Sequence, residues 1–253
     1  MQQKPASLAR PGQPTLAYLA QDGRGPTVVF FSGFMSDMVG KKAEALAAFC
    51  RDRGQAMLRF DYRAHGLSEG VFAEAGLEDW LADALAVIDA ATTGPLLFVG
   101  SSMGGWLMLL AAQARRERVV GIVGIAAAPD FTEELIWSEL SFEARERLMR
   151  DGAMVQATSY SEEPYLITRK LIEDGRRMLL LGGPIELACP VHLLHGMNDG
   201  DVPYELSLRI AERLTGSEVA VTLVKDGDHR LSREPDLALI LGAVALLSSK
   251  AGF

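Results

Sequence analysis

Leu96-Leu97-Phe98-Val99-Gly100-Ser101-Ser102-Met103-Gly104-Gly105-Trp106-Leu107-Met108-Leu109 is the stretch that decides how this chain is read. Four apolar residues with the look of a buried strand run through a G-x-S-x-G pentapeptide into a helical pattern that continues to about residue 115. A chain that passes straight from a buried strand into a helix must make a tight, strained turn. Small residues two positions either side of Ser102 let the neighbouring backbones pack close enough for that turn. It pushes the Ser102 hydroxyl out at the carboxyl end of the sheet. It also leaves the Met103 backbone NH at a helix amino terminus, where the dipole favours an oxyanion. The pentapeptide alone is a weak signal. Strand before and helix after make Ser102 a candidate nucleophile.

Working outward, short apolar runs alternate with longer helical patterns, the signature of a mostly parallel sheet with helices on both faces. Strands are expected over 27–31, 56–60, 96–99, 119–125, 191–194 and 219–224, and helices over 41–53, 77–91, 104–115, 204–214 and 235–248. Residues 16–19, joined to the next run through Asp22-Gly23, read as an antiparallel partner at the start of the sheet. The alternation breaks between Pro129 and Pro190, where about sixty residues separate two strands that would ordinarily be linked by far fewer. Helical apolar spacing over 133–150 and 167–180 implies a helical cap, residues 130–188, inserted in a single domain spanning 1–253.

Composition narrows the function classes. With 253 residues, 49% of them hydrophobic, the chain can bury one large core. Against 33 acidic residues there are 25 Lys and Arg, with no basic stripe, so nucleic acid is not an expected partner. Cys50 and Cys189 lie far apart without a C-x-x-C and are expected to be reduced core residues. The first fourteen residues, MQQKPASLARPGQP, read as a loose tail with no apolar signal segment. The apolar run 237–247 is too short to cross a bilayer and reads as a buried terminal helix. A cytoplasmic location is the default expectation.

A serine hydroxyl needs a base within reach and an acid to orient that base. Of the four histidines, His65 precedes the serine, against the Ser, acid, His order of this kind of elbow. His192 and His195 sit three apart on one strand, so they face opposite sides and read as hydrogen-bonded structural residues. His229, in the loop Asp226-Gly227-Asp228-His229-Arg230 after the last strand, can reach the serine. Asp199 and Asp201 both follow the strand ending near Leu194. Asp199 is the chosen acid, Asp201 being better placed to cap the next helix. Asp228 is a third candidate, disfavoured because adjacent side chains point apart. The second oxyanion donor is expected after the first parallel strand, at the Phe34 NH, with Gly33 allowing the turn.

Taken with Phe60-Asp61-Tyr62, Tyr160-Ser161-Glu162-Glu163, Leu193-Leu194-His195-Gly196-Met197, Val202-Pro203 and Asp228-His229-Arg230, the chain resembles the α/β-hydrolase superfamily over nearly its full length. Within it, the chain is similar to the mitochondrial palmitoyl-protein thioesterase and acyl-glucuronide esterase branch. The resemblance implies Ser102 as nucleophile, Asp199 as acid, His229 as base, a shared cap and no cofactor or metal. It departs in lacking a recognisable presequence and in its bulky Arg63-Ala64-His65, so a bacterial-type cytoplasmic counterpart is expected. The expected substrate is a small-molecule acyl ester or an S-acylated compound, without stable membrane insertion. A carboxylesterase or carbon-carbon bond hydrolase of the same fold, or a slow ligand receptor, is the alternative. Leu135, Ile136, Trp137, Leu140, Leu166 and Ile167 are candidates for an acyl pocket, although holding the cap in place is the readier role. The cap arginines are interspersed with acids and read as a solvated surface.

Overall fold

The apolar runs pair into one sheet in the computed structural model, which describes residues 4–156 and 164–253. Along the chain come β1 (Ala6–Arg10), β2 (Gln13–Gln21), β3 (Arg24–Phe31), α1 (Lys41–Arg53), β4 (Gln55–Phe60), α2 (Leu77–Ala91), β5 (Leu96–Ser101), α3 (Met103–Ala114) and β6 (Val119–Ile125). The insert follows, with a π-helical turn (Thr132–Trp137), α4 (Phe142–Asp151), β7 (Ala153–Gln156), β8 (Tyr165–Thr168) and α5 (Arg169–Arg177). The chain then returns through β9 (Val191–Gly196), α6 (Glu205–Arg213), β10 (Val219–Val224) and α7 (Glu234–Lys250). Among the described residues the main sheet has eight strands in the order β1-β2-β4-β3-β5-β6-β9-β10. It is parallel from β4 to β10 and antiparallel at β1 and β2.

Burial on both faces explains why the central strands read as unbroken apolar runs. In β5, Leu97 and Val99 pack towards α1 and α7 with Ala43, Leu46, Ile240 and Val244. Leu96 and Phe98 pack on the other side with Trp80, Val87 and Leu107. The terminal run expected to be buried is α7, whose Ile240, Ala243, Val244 and Leu247 face the sheet. No described helix is long and apolar enough to cross a membrane.

Three expectations are corrected. The stretch read as a loose tail contains β1, paired antiparallel with β2 through Ala6 to Tyr18 and Leu8 to Leu16. Leu8 packs against the main core, which a flexible tail could not do. β2 is the expected antiparallel strand, but its partners are β1 and β4, with Tyr18 opposite Phe60, rather than the run beyond Asp22-Gly23. The chain at Gly23 presses on the start of β4, where a Cβ would fall 2.2 Å from the Gln55 carbonyl carbon, and β3 continues on the far side of β4. The insert is mixed rather than helical. Ser141 starts α4 by accepting from the Ala144 NH, ending the spacing read over 133–150 as one run. Ile167 belongs to β8, paired with Met154 of β7, and Thr168 caps α5 by accepting from the Leu171 NH. Residues 160–163 lie outside the described residues.

Candidate active site

The site sits where the chain leaves the sheet in two directions. From β3 it runs to β4 on one side, while β5 lies on the other, so the loops after β3 and β5 part and leave a crevice at their carboxyl ends. The elbow after β5 holds Ser102 at φ 55° and ψ −123°, a conformation a non-glycine residue keeps only when its surroundings fix it. Those surroundings are tight. The Ser102 NH donates to the Ile125 carbonyl at 3.0 Å, and the Ser102 carbonyl accepts from the Gly105 and Ala128 NH groups. A Cβ at Gly104 would meet the Phe31 and Ser32 carbonyl oxygens at 2.3 and 2.4 Å. The second glycine of the pentapeptide is therefore required by backbone contact.

Ser102 Oγ lies 3.0 Å from His229 Nε2, and His229 Nδ1 lies 2.7 Å from Asp199 Oδ2. A carboxylate only accepts, so Nδ1 carries the proton and Nε2 is left to accept from the serine hydroxyl. The Asp199 carboxylate is fully buried. Its Oδ1 accepts from the Asp201 and Val202 NH groups at 2.9 and 2.8 Å. Burial opposes its charge, but hydrogen bonds from His195 and His229, the His229 charge and the Val202 NH outweigh it and hold the carboxyl well below the usual range.

The other candidates separate cleanly. The residue preceding α6 is Tyr204, three positions after Asp201, and the Asp201 backbone NH donates to Asp199. Asp228 turns from His229 and accepts from the Leu231 NH at 2.9 Å. His192 pairs with Thr222 Oγ1 on β10, as a structural residue should. His195, on the opposite face, does more than the sequence suggested. Its Nε2 faces two acceptors, Asp199 Oδ2 at 3.2 Å and the Val202 carbonyl at 3.0 Å, so it carries a proton there, while Nδ1 accepts from Ser207 Oγ at 2.7 Å. The signal available was its place four residues before Asp199 at a strand end. Lys42 was also missed. Its Nζ donates to the carbonyl of Arg230, the residue after His229, and burial lowers its pKa to about 8, against the pull of Asp228.

Phe34 and Met103 both line the cavity with Ser102 and His229. Gly33 lies against the elbow, with a Cβ there 3.5 Å from Ser102 Cβ. Neither the Phe34 NH nor the Met103 NH, in the first turn of α3, has an acceptor among the described residues. The cavity holds about 870 Å³ and is walled from the insert by Phe131, Leu135, Ile136, Tyr165 and Ile167. Of the six acyl-pocket candidates, then, three reach it. Trp137 instead lies under the Arg145 and Arg176 guanidinium groups. Among the cap arginines, Arg176 pairs with Glu133 and Arg177 with Glu78 and the buried Asp174, while Arg145 donates to the Trp137 and Ser138 carbonyls. No group of His, Cys, Asp and Glu among the described residues is arranged to hold a metal. Cys50 is buried and Cys189 half-buried rather than core, and burial pushes their thiols up to about 12 and about 11.

The sequence model of the serine aminopeptidase S33 family matches residues 24–174, which carry β3, the elbow and part of the insert. The chain is an α/β-hydrolase of that family. By that membership it is a serine hydrolase. It is 40% identical to the mitochondrial palmitoyl-protein thioesterase ABHD10 of Rattus norvegicus, over 96% of this chain and 82% of that protein, and 39% identical to its Homo sapiens counterpart, over 96% and 79%. Among solved structures, the mouse α/β-hydrolase domain-containing protein 10 shares 38% of its sequence and superposes with a TM-score of 0.91, over 98% of this chain and 99% of that one. The ferulic-acid-bound Est1E of Butyrivibrio proteoclasticus, 20% identical with a TM-score of 0.79 over 94% and 96%, shares the fold.

Proposed function

We propose that this α/β-hydrolase cleaves acyl esters or thioesters through a covalent acyl-enzyme. The observation that carries the reading is the unbroken line of hydrogen bonds from Ser102 Oγ through His229 to the buried Asp199. Nε2 of His229 takes the hydroxyl proton as Oγ bonds to the carbonyl carbon, and the carbonyl π electrons move to oxygen. The Met103 and Phe34 NH groups face that oxyanion. As the tetrahedral adduct collapses, His229 returns the proton to the departing thiol or alcohol. Water then adds to the acyl-enzyme by the same steps, releasing a carboxylic acid and restoring Ser102.

An acyl rather than a peptidyl substrate is supported by the apolar wall that the insert builds, with Leu135, Ile136 and Ile167 beside the elbow. The volume of about 870 Å³ falls in the range of small-ligand sites. The relatives' palmitoyl-thioesterase name points the same way. On this reading residues 130–188 act as a cap over the acyl chain. The cytoplasmic location is part of the proposal, to be checked by cell fractionation. The decisive experiment is labelling with a serine-directed fluorophosphonate. It should modify the wild type and spare Ser102→Ala, with multiple turnovers on a p-nitrophenyl acyl ester in the former alone. Persistent labelling of Ser102→Ala would refute the nucleophile.

A further inference from the structure

The loop bearing Phe34 is held from beneath by one short segment after β4. The Tyr62 hydroxyl donates to the Ser32 carbonyl at 3.3 Å, and Asp61 Oδ1 accepts from the Met38 NH at 2.7 Å. Between these two ties, the Met35 NH donates to His65 Nε2 at 3.3 Å. His65 Nδ1 lies 3.1 Å from the Arg63 carbonyl, which only accepts, so the proton sits on Nδ1 and the lone pair on Nε2. Arg63 is locked in turn. Its NH donates to Asp83 Oδ2 and its guanidinium pairs with Asp79 and the fully buried Asp83.

His65 is 4% exposed, and its ring meets Tyr62 and Trp80 edge-on and Phe72 at a tilt. Burial lowers its pKa, against the Arg63 carbonyl and Asp83, which favours the neutral form that can accept. Met35 sits at φ 51°, a left-handed position that a non-glycine residue keeps only when its neighbours hold it. The preceding ring, Phe34, packs on the same Phe72 and Trp80.

We infer that His65 is a positioning residue for the oxyanion site: by accepting the Met35 NH it holds the left-handed turn and so aims the preceding Phe34 NH into the cavity. It touches no reacting atom. The inference rests on the Ser102 reading above, and the experiment keeps the two apart.

Three measurements on the full chain test it: steady-state hydrolysis of a p-nitrophenyl acyl ester, affinity for a trifluoromethyl ketone whose adduct with Ser102 carries an oxyanion, and fluorophosphonate labelling. His65→Phe keeps an aromatic ring and removes the acceptor. Its kcat should fall about 10- to 100-fold with KM within about threefold of wild type, as for a misplaced oxyanion donor. Ketone affinity should fall by the same factor. His65→Gln, which restores an acceptor near the former Nε2, should recover most of both. A folded His65→Phe with wild-type kcat and ketone affinity, or a loss carried wholly by KM, would overturn the inference. So would a wild-type His65 ring shown by long-range proton-nitrogen correlation to carry its proton on Nε2, a readout independent of any variant's folding. Wild type that resists the fluorophosphonate would instead overturn the Ser102 reading. Labelled wild type with indifferent His65 variants would overturn the positioning role alone.

Discussion

His195 Nε2 and Asp199 Oδ2 lie 3.2 Å apart, and that oxygen is the one that meets His229 Nδ1 at 2.7 Å. One carboxylate oxygen thus receives two imidazole protons, while its twin receives two backbone NH groups. An acid so fully occupied has one orientation, and the tautomer of His229 follows from it. Asp199→Asn should lower kcat by about four orders of magnitude, the loss expected when a triad acid becomes an amide and the tautomer is no longer enforced. Asp201→Asn leaves its NH on Asp199 and should lose at least two orders less. Steady-state ester hydrolysis by the two variants checks it, and the reverse ranking would transfer the acid's role to Asp201.

The same occupancy gives a pH dependence of stability. The Asp199 carboxyl titrates below its unfolded value because its hydrogen bonds outweigh burial. A depressed pKa contributes stability that is complete above the unfolded value and is lost as pH falls through the folded one. The unfolding free-energy difference between wild type and Asp199→Asn should be largest above about pH 5 and shrink below about pH 4. Urea unfolding of both proteins across that range checks the sign, and a difference that grew on acidification would contradict it.

The elbow makes a prediction about folding rather than chemistry. Gly104→Ala would drive a Cβ against the backbone oxygens of Phe31 and Ser32, at the end of β3 and just beyond it, and backbone cannot swing aside as a side-chain tip can. A destabilisation of about 2–4 kcal/mol is expected from overpacking at such a site. Gly182→Ala, where nothing lies within 4 Å, should stay within about 0.5 kcal/mol. Denaturant midpoints of the two variants separate a packing requirement from a general intolerance of Gly→Ala.

What the sequence made legible follows from local period. β6 at Val119–Ile125 and α1 at Lys41–Arg53 have the bounds read from it, because double-sided burial and helical spacing leave their marks on consecutive residues. The places of Ser102, Asp199 and His229, which the structure brings within hydrogen-bond reach of one another, were legible for a similar reason, since each follows a strand. β1 was hidden by flanking proline and glycine, and only its pairing with β2 makes Ala6–Arg10 a strand. Ile167 fits a helical stripe and a strand equally well; β7 decides between them. The bond from Met35 to His65 joins two separate loops, so no periodicity records it, and the one from His195 to Asp199 is signalled only by the place of His195 at a strand end, four residues before the carboxylate.

The insert's wall yields the last prediction. Leu135 and Ile136, on the π-helical turn, and Ile167, on β8, face the cavity that holds Ser102. If an acyl chain lies along that wall, its length determines how much of it each residue touches, and a bulkier residue should be felt only by chains long enough to reach it. Leu135→Trp should then leave butyryl thioester hydrolysis within about threefold of wild type and lower kcat/KM for the palmitoyl thioester by 10-fold or more, since each methylene excluded from an apolar pocket costs about 1–3 kcal/mol. The burden should fall on KM, because the wall contributes binding and the oxyanion site is untouched. A loss equal across chain lengths would mean that the acyl group takes another path and that the wall serves only to hold the insert on the sheet.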